Sequence, residues 1–181
     1  FAAIKNNDKI GLIVFSDKIE HTIPPKKGKA HIWNIICTIL NFKPEGKGTN
    51  LSLPLKYLLN IQKRKATAFL ISDFQDDDYE ATLKLAKQKH DLVAISITDP
   101  REETLPDVGL IQLEDAETGE TLLVDTHDKD MTSNYAKQFQ QKREQRKTYF
   151  SSIGIDTIEI HTNQSLTDPI IRYFKIREKK H

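Results

Sequence analysis

Two kinds of apolar run alternate along this chain, and their spacing sets the elements. The clearest is Ala68-Phe69-Leu70-Ile71, followed at once by Ser72 and Asp73. A short continuous apolar run predicts a strand, here over residues 66–72, buried on both faces as in parallel sheets. Residues 9–16, containing Ile10-Gly11-Leu12-Ile13-Val14-Phe15, and residues 92–97, Leu92-Val93-Ala94-Ile95-Ser96-Ile97, read the same way. Residues 19–23 instead alternate and stop at Pro24-Pro25. That pattern predicts an edge strand, paired with 9–16 through the turn Ser16-Asp17-Lys18.

Between these runs the period changes to that of a helix. Residues 29–40 place Ile32, Trp33, Ile36, Ile39 and Leu40 on one inward face, and residues 51–62 repeat the pattern with Leu51, Leu55, Leu58 and Leu59. A third amphipathic stretch covers 79–89. Strand, helix and strand in alternation predict an α/β fold with a mostly parallel, doubly wound sheet and an antiparallel edge strand. The rhythm then breaks. Residues 110–113 and 121–124 flank Glu117-Thr118-Gly119-Glu120, which predicts a small β-hairpin excursion. A long polar helix over 129–151 follows, anchored by Tyr135, Phe139 and Phe150. A strand over 153–160 and a closing helix over 166–177, with Ile170, Ile171 and Phe174 inward, complete the chain. There is no internal repeat or linker, so residues 1–181 are read as a single domain.

Composition narrows the function classes. Lys plus Arg number 27 and Asp plus Glu 26 in 181 residues. This near balance argues against a basic nucleic-acid binder or an acidic tail. The one cysteine, Cys37, excludes an internal disulfide. Its place in an apolar helical pattern predicts a buried structural thiol, and its isolation suits a reducing, cytoplasmic setting. No run approaches the roughly 18–20 apolar residues of a membrane span. The chain opens on Phe1-Ala2-Ala3-Ile4-Lys5, which reads as the end of a helix and predicts a fragment truncated at its N-terminus.

Candidate chemistry gathers at one place. Open α/β sheets bind ligands beyond the carboxyl ends of their strands, where Ser72 and Asp73 fall. Upstream, Gly46-Lys47-Gly48-Thr49-Asn50 is a small-residue loop opening the helix at 51. A threonine hydroxyl and an aspartate carboxylate on neighbouring strand-end loops suit a hard divalent cation. Plainer roles exist for the same residues. Asp73 could cap a loop or helix, and Thr49 could be the N-cap of the helix at 51. Asp76, Asp77 and Asp78 sit where they would cap the helix that follows them. His90 closes a helix, where a cation suits the C-terminal dipole. Asp99-Pro100 is a turn feature. The glycine order is wrong for a phosphate-binding loop, and the six histidines lack zinc spacing.

These residues in this order resemble the von Willebrand factor A-like fold. More closely, the chain resembles the bacterial family known as domain of unknown function fifty-eight, whose members are usually encoded beside a MoxR-type AAA+ ATPase. The motifs carrying the likeness are Gly48-Thr49-Asn50-Leu51, Leu70-Ile71-Ser72-Asp73-Phe74, His90-Asp91-Leu92-Val93, Asp99-Pro100-Arg101-Glu102 and Leu105-Pro106-Asp107-Val108-Gly109. Asp115-Ala116-Glu117-Thr118-Gly119-Glu120 and Val124-Asp125-Thr126 extend it over nearly the whole chain.

The resemblance implies a metal-ion-dependent adhesion site, in which Thr49 and Asp73 match the family's threonine and aspartate ligands. Gly48, Asn50, Ser72 and Asp76 form the partner-binding rim around them. The Asp-x-Ser-x-Ser part of the motif is absent and would lie before Phe1, so the implied site is partial and Mg²⁺ or Mn²⁺ would bind weakly or not at all. The central first strand of the fold is missing for the same reason. Its neighbours at 9–15 and 66–72 should then expose open edges, which a strand-swapped oligomer would fill. The resulting expectation is a non-enzymatic protein-interaction module. It would work with a MoxR-type ATPase on unidentified protein clients, in a chaperone-like or assembly role. The alternatives are a metal-dependent hydrolase built on Asp73 and the neighbouring carboxylates, and a metal-free scaffold.

Overall fold

The computed structural model describes residues 6–114 and 119–179. Seven strands and six helices follow one another through these residues. β1 (Ile10–Phe15) and β2 (Ile19–Lys26) form an antiparallel pair joined by the turn at Ser16. β2 runs through Pro24 and Pro25 rather than stopping before them. The register slips there, from Leu12 opposite Ile23 to Ile10 opposite Lys26. Proline has no N–H to give a ladder, so a bulge on an edge strand is where two can be tolerated.

α1 (Lys29–Asn41) and α2 (Ser52–Ile61) follow, then β3 (Thr67–Ser72), α3 (Glu80–Lys89) and β4 (Asp91–Thr98). Asp99 and Pro100 do more than turn the chain. They start a one-turn helix α4 (Pro100–Glu103), with the Asp99 carboxylate accepting from the Arg101 N–H at 2.9 Å. β5 (Leu110–Glu114) and β6 (Thr121–Asp125) make a second antiparallel pair. Residues 117 and 118 of the expected turn, with 115 and 116 before them, lie outside the described residues. α5 (Lys129–Ser152) is capped by Asp128, β7 (Asp156–His161) returns to the sheet, and α6 (Thr167–Glu178) closes the chain.

The architecture is mixed α/β. A parallel three-stranded sheet has the order β3-β4-β7, and β1-β2 and β5-β6 are separate antiparallel pairs. The parallel part and its antiparallel edge pair are therefore separate, as expected from the open edges at 9–15 and 66–72. No ladder joins β1 to β3 among the described residues. Phe15 of β1 nevertheless packs against the core that contains Leu51, Leu55 and Leu70.

That core, on one face of the sheet, also holds Leu83, Leu92, Ala94 and the fully buried Phe150 of α5. The opposite face is smaller, with Val93, Ile95, Ile158 and Ile160 under Ile170 and Tyr173 of α6. Among the described residues, β4, the middle strand, is the one buried on both faces, because a core cluster packs against each side of it. β3 is an outer strand of the sheet, so the two-sided burial expected for it fails. Leu70 is inside, while Phe69 and Ile71 are 42% and 54% exposed.

Helix faces shift in the same sense. Ile35 is the buried residue of α1, and Trp33, Ile36, Ile39 and Leu40 point outward. On α6, Ile170 and Tyr173 pack inward, and Ile171 and Phe174 remain largely exposed. On α5, Phe150 is the one deep anchor of the three aromatics expected there. Cys37 is half-buried rather than enclosed. Among the described residues, no helix is long and apolar enough to cross a membrane.

Candidate functional site: the rim beyond β1 and β3

The carboxyl ends of β1 and β3 are tied together by the loop that leads into α2. The Asn50 N–H donates to the Ser16 carbonyl at 3.0 Å, just past β1. The next residue, Leu51, donates its N–H to Asp76 Oδ2 at 2.7 Å, just past β3. The Ser52 hydroxyl adds a bond to the Asp78 carbonyl at 3.2 Å. Thus the loop carrying Gly48, Thr49 and Asn50 lies against the loop carrying Asp73 and Asp76.

The upstream side is organised by Glu20. Its Oε1 accepts from the Gly46 N–H at 2.7 Å, from the Ser16 hydroxyl at 2.7 Å and from the Glu45 N–H at 3.2 Å. The Gly46 and Ser16 donors hold its carboxyl below the usual range. Gly46 is required by space, since a Cβ there would stand 2.1 Å from Asp17 Oδ1 and 2.2 Å from Ser16 Oγ. Sequence reading missed Glu20. Its only signal is a charge on the wet side of a two-residue alternation, which looks like ordinary solvation.

The downstream side is a tight turn at the end of β3. The Ser72 hydroxyl accepts from the Phe74 N–H at 3.0 Å and donates to Asp73 Oδ1 at 3.3 Å. The Gln75 N–H donates to the same Asp73 oxygen at 3.3 Å. Phe74 adopts φ +59°, a left-handed conformation that an aromatic residue takes only when its surroundings impose it. Asp78 is likewise left-handed, at φ +60°.

The alternative roles sort out differently from expectation. Asp76 caps, but it caps α2, the helix from the neighbouring loop, and not the helix that follows it. Asn50 does the capping expected of Thr49, accepting from the Leu53 N–H at 3.2 Å. Among the described residues the Thr49 hydroxyl has no hydrogen-bond partner. His90 is no charged cap. It is 1% exposed, both ring nitrogens lack partners among the described residues, and burial with Lys89 nearby pulls its pKa down.

Beyond Asp73 the rim continues across β4. The Gln75 side-chain amide donates to Glu102 at 3.2 Å. Burial, together with the charges of Asp73 and Asp99, pushes the Glu102 carboxyl up. Asp99 is held low by the Arg101 N–H and the Thr162 hydroxyl. On α5, Arg143 bridges Glu103 at 2.9 Å and Glu159 at 2.7 Å. Arg146, one turn later, reaches the Asp73 turn itself.

For a divalent cation the donor chemistry is suitable but short in number. Among the described residues Thr49 offers a free hydroxyl, and the exposed Asp73 carboxylate bonds only to Ser72 and Gln75. Among the described residues there is no group of three or more His, Cys, Asp or Glu placed to hold a metal. Two protein oxygens fit a Mg²⁺-type ion that keeps several waters, and not an all-protein cage.

Comparison with known proteins agrees with the fold and supplies the family. The crystal structure of conserved hypothetical protein BatB from Bacteroides thetaiotaomicron superposes with a TM-score of 0.56, covering 98% of this chain and 82% of that one at 15% identity. That is a likeness of fold alone. Uncharacterized protein MAV169 of Mycobacterium avium is 28% identical over 160 residues, 87% of this chain and 94% of that protein. Uncharacterized protein Rv1480 of Mycobacterium tuberculosis is 29% identical over 115 residues, which cover 62% of this chain but only 36% of Rv1480. The model of the family described as protein of unknown function DUF58 matches residues 1–145, and the chain belongs to that family.

Proposed function

We propose that this domain is a von Willebrand factor A-like interaction module, and that its working surface is the rim built from Thr49 and Asp73. The observation that carries the reading is the Leu51 N–H to Asp76 bond at 2.7 Å, which brings the threonine loop against the aspartate loop. Thr49 and Asp73 hold the cation, and Gly48, Asn50 and Ser72 shape the rim. Asp76 fixes the spacing between the loops. A bound Mg²⁺ or Mn²⁺ supplies an electrophilic position for an acidic side chain of a partner. The protein's own part is to present two oxygens and to leave one side of the rim open.

The partner we assign is a MoxR-type AAA+ ATPase, acting with this domain on protein clients. Among the described residues no hydroxyl or thiol beside Asp73 is paired with a histidine base, so binding without turnover is the reading favoured over hydrolysis. Capture of the ATPase by the full-length protein tests this, with Mg²⁺ and with chelator, alongside a phosphoester turnover assay. Metal-dependent capture lost in Asp73→Ala, without turnover, is expected. Turnover abolished by Asp73→Ala would overturn the assignment in favour of an enzyme, and metal-indifferent capture would leave a scaffold.

A further inference from the structure

We propose that Arg146 is the positioning residue of the rim, a clamp that holds the turn bearing the Asp73 carboxylate. This rests on the reading of Asp73 as a binding residue, but the contacts stand apart from it. One guanidinium nitrogen, Nη1, donates to the Asp73 carbonyl at 2.9 Å and to the Phe74 carbonyl at 3.2 Å. The other, Nη2, donates to the hydroxyl of Ser96, a buried residue of β4, at 3.3 Å. The same guanidinium lies 5.6 Å from the centroid of the Phe74 ring. That ring is buried edge-on against Phe150, with centroids 5.2 Å apart.

Arg146 and Phe150 are four residues apart on α5, so they share a helix face. One helix face therefore grips both ends of Phe74, its ring from one side and its carbonyl from the other. Such a double hold accounts for a left-handed aromatic residue. Among the described residues the hydrogen bonds of Arg146 go to uncharged oxygens, two backbone carbonyls and a hydroxyl. Its place is thus set by these directed contacts, with the nearby charges of Asp73 and Glu159 adding attraction. Lysine could keep the charge but not the planar fork that spans β3 and β4 at once. Holding both carbonyls leaves the exposed Asp73 side chain to be directed by its bonds to Ser72 and Gln75.

The test compares wild type with Arg146→Lys, Arg146→Met and Ser96→Ala in the full-length protein. Amide exchange at Phe74 and Gln75 is read against the amides of β4, with Mn²⁺ affinity measured in parallel. Arg146→Met should speed exchange at Phe74 and Gln75 by about tenfold or more with β4 unchanged, since local opening reports local holding. Arg146→Lys should restore little of it, Ser96→Ala should give a smaller effect, and Mn²⁺ affinity should fall in step. Unchanged exchange in Arg146→Met or full rescue by lysine overturns the clamp. If Arg146→Met does not fold, the Arg146→Lys and Ser96→Ala results decide alone. If wild type binds no Mn²⁺, the metal reading fails, and the exchange data still decide the clamp.

Discussion

At the scale of single residues, two positions state what the fold requires most sharply. Gly46 sits where a side chain has no room, with the Ser16 and Asp17 side chains against it and its N–H given to Glu20. Gly46→Ala should therefore displace the loop from the β1–β2 turn and cost about 1–3 kcal/mol by overpacking, read from chemical denaturation. His90 is the other. Its folded pKa lies below 6.5 because the buried ring resists charge. A depressed histidine contributes full stability above its unfolded pKa and loses it as pH falls below that value. Wild type should weaken as pH falls below about 6.5, the ordinary histidine value, and His90→Leu should lose that component. The variant should also gain about 1 kcal/mol near neutrality, since two unpartnered ring nitrogens leave the interior. A pH-stability profile common to both proteins would contradict this.

At the scale of elements, α5 does most of the work of the rim, and its role was the least legible. Its sequence is polar nearly throughout, and aromatic spacing singled out Tyr135, Phe139 and Phe150, of which Phe150 alone is fully buried. The residues that matter beside it are Arg143 and Arg146, whose long apolar stems and charged heads look like solvated surface in a single sequence. Arg143 joins Glu103 of α4 to Glu159 of β7. Burial pushes Glu159 up, but the hydrogen bond and charge of Arg143 outweigh it and hold the carboxyl low. The sign is thus opposite in origin to that of His90 but acts in the same direction, since a depressed carboxylate loses its contribution as pH falls through its folded value. Arg143→Met should cost about 2 kcal/mol at neutral pH, since two part-buried carboxylates lose their guanidinium partner, and less below pH 4. An equal loss at both pH values, measured by thermal unfolding, would contradict that assignment.

Elsewhere local pattern served well. α1, α2, α3 and α6 fall within a residue or two of their expected spans, because apolar spacing and capping act locally. Burial depends on neighbours that a sequence does not reveal. Trp33, Ile36 and Leu40 share a helix face as expected, yet that face looks outward.

At the scale of the whole molecule, the same point governs the sheet. Phe69 and Ile71 have the composition of a doubly buried strand, but among the described residues β3 pairs only with β4 and β1 only with β2. In a parallel strand bonded on one side, alternate amides lack a ladder partner. Amide exchange should therefore split β3 into fast and slow alternating positions while β4 is protected throughout; uniform protection along β3 would mean that something covers its edge. That the loops carrying Thr49 and Asp73 would lie together could be read in advance, because strand-end loops follow from topology. The rim's internal supports, Glu20, Asp76 across to Leu51, and Arg146, are contacts between residues distant in sequence, and no spacing rule announces them.

The central claim is that Thr49 and Asp73 act on one ion. Calorimetric titration of the full-length protein with Mn²⁺, beside Thr49→Ala and Asp73→Ala, tests it most directly. The account predicts one weak site in wild type, with affinity on the order of millimolar for so few protein oxygens, and its loss in either variant. Heat of binding unchanged by both substitutions, or no binding in wild type, would contradict it.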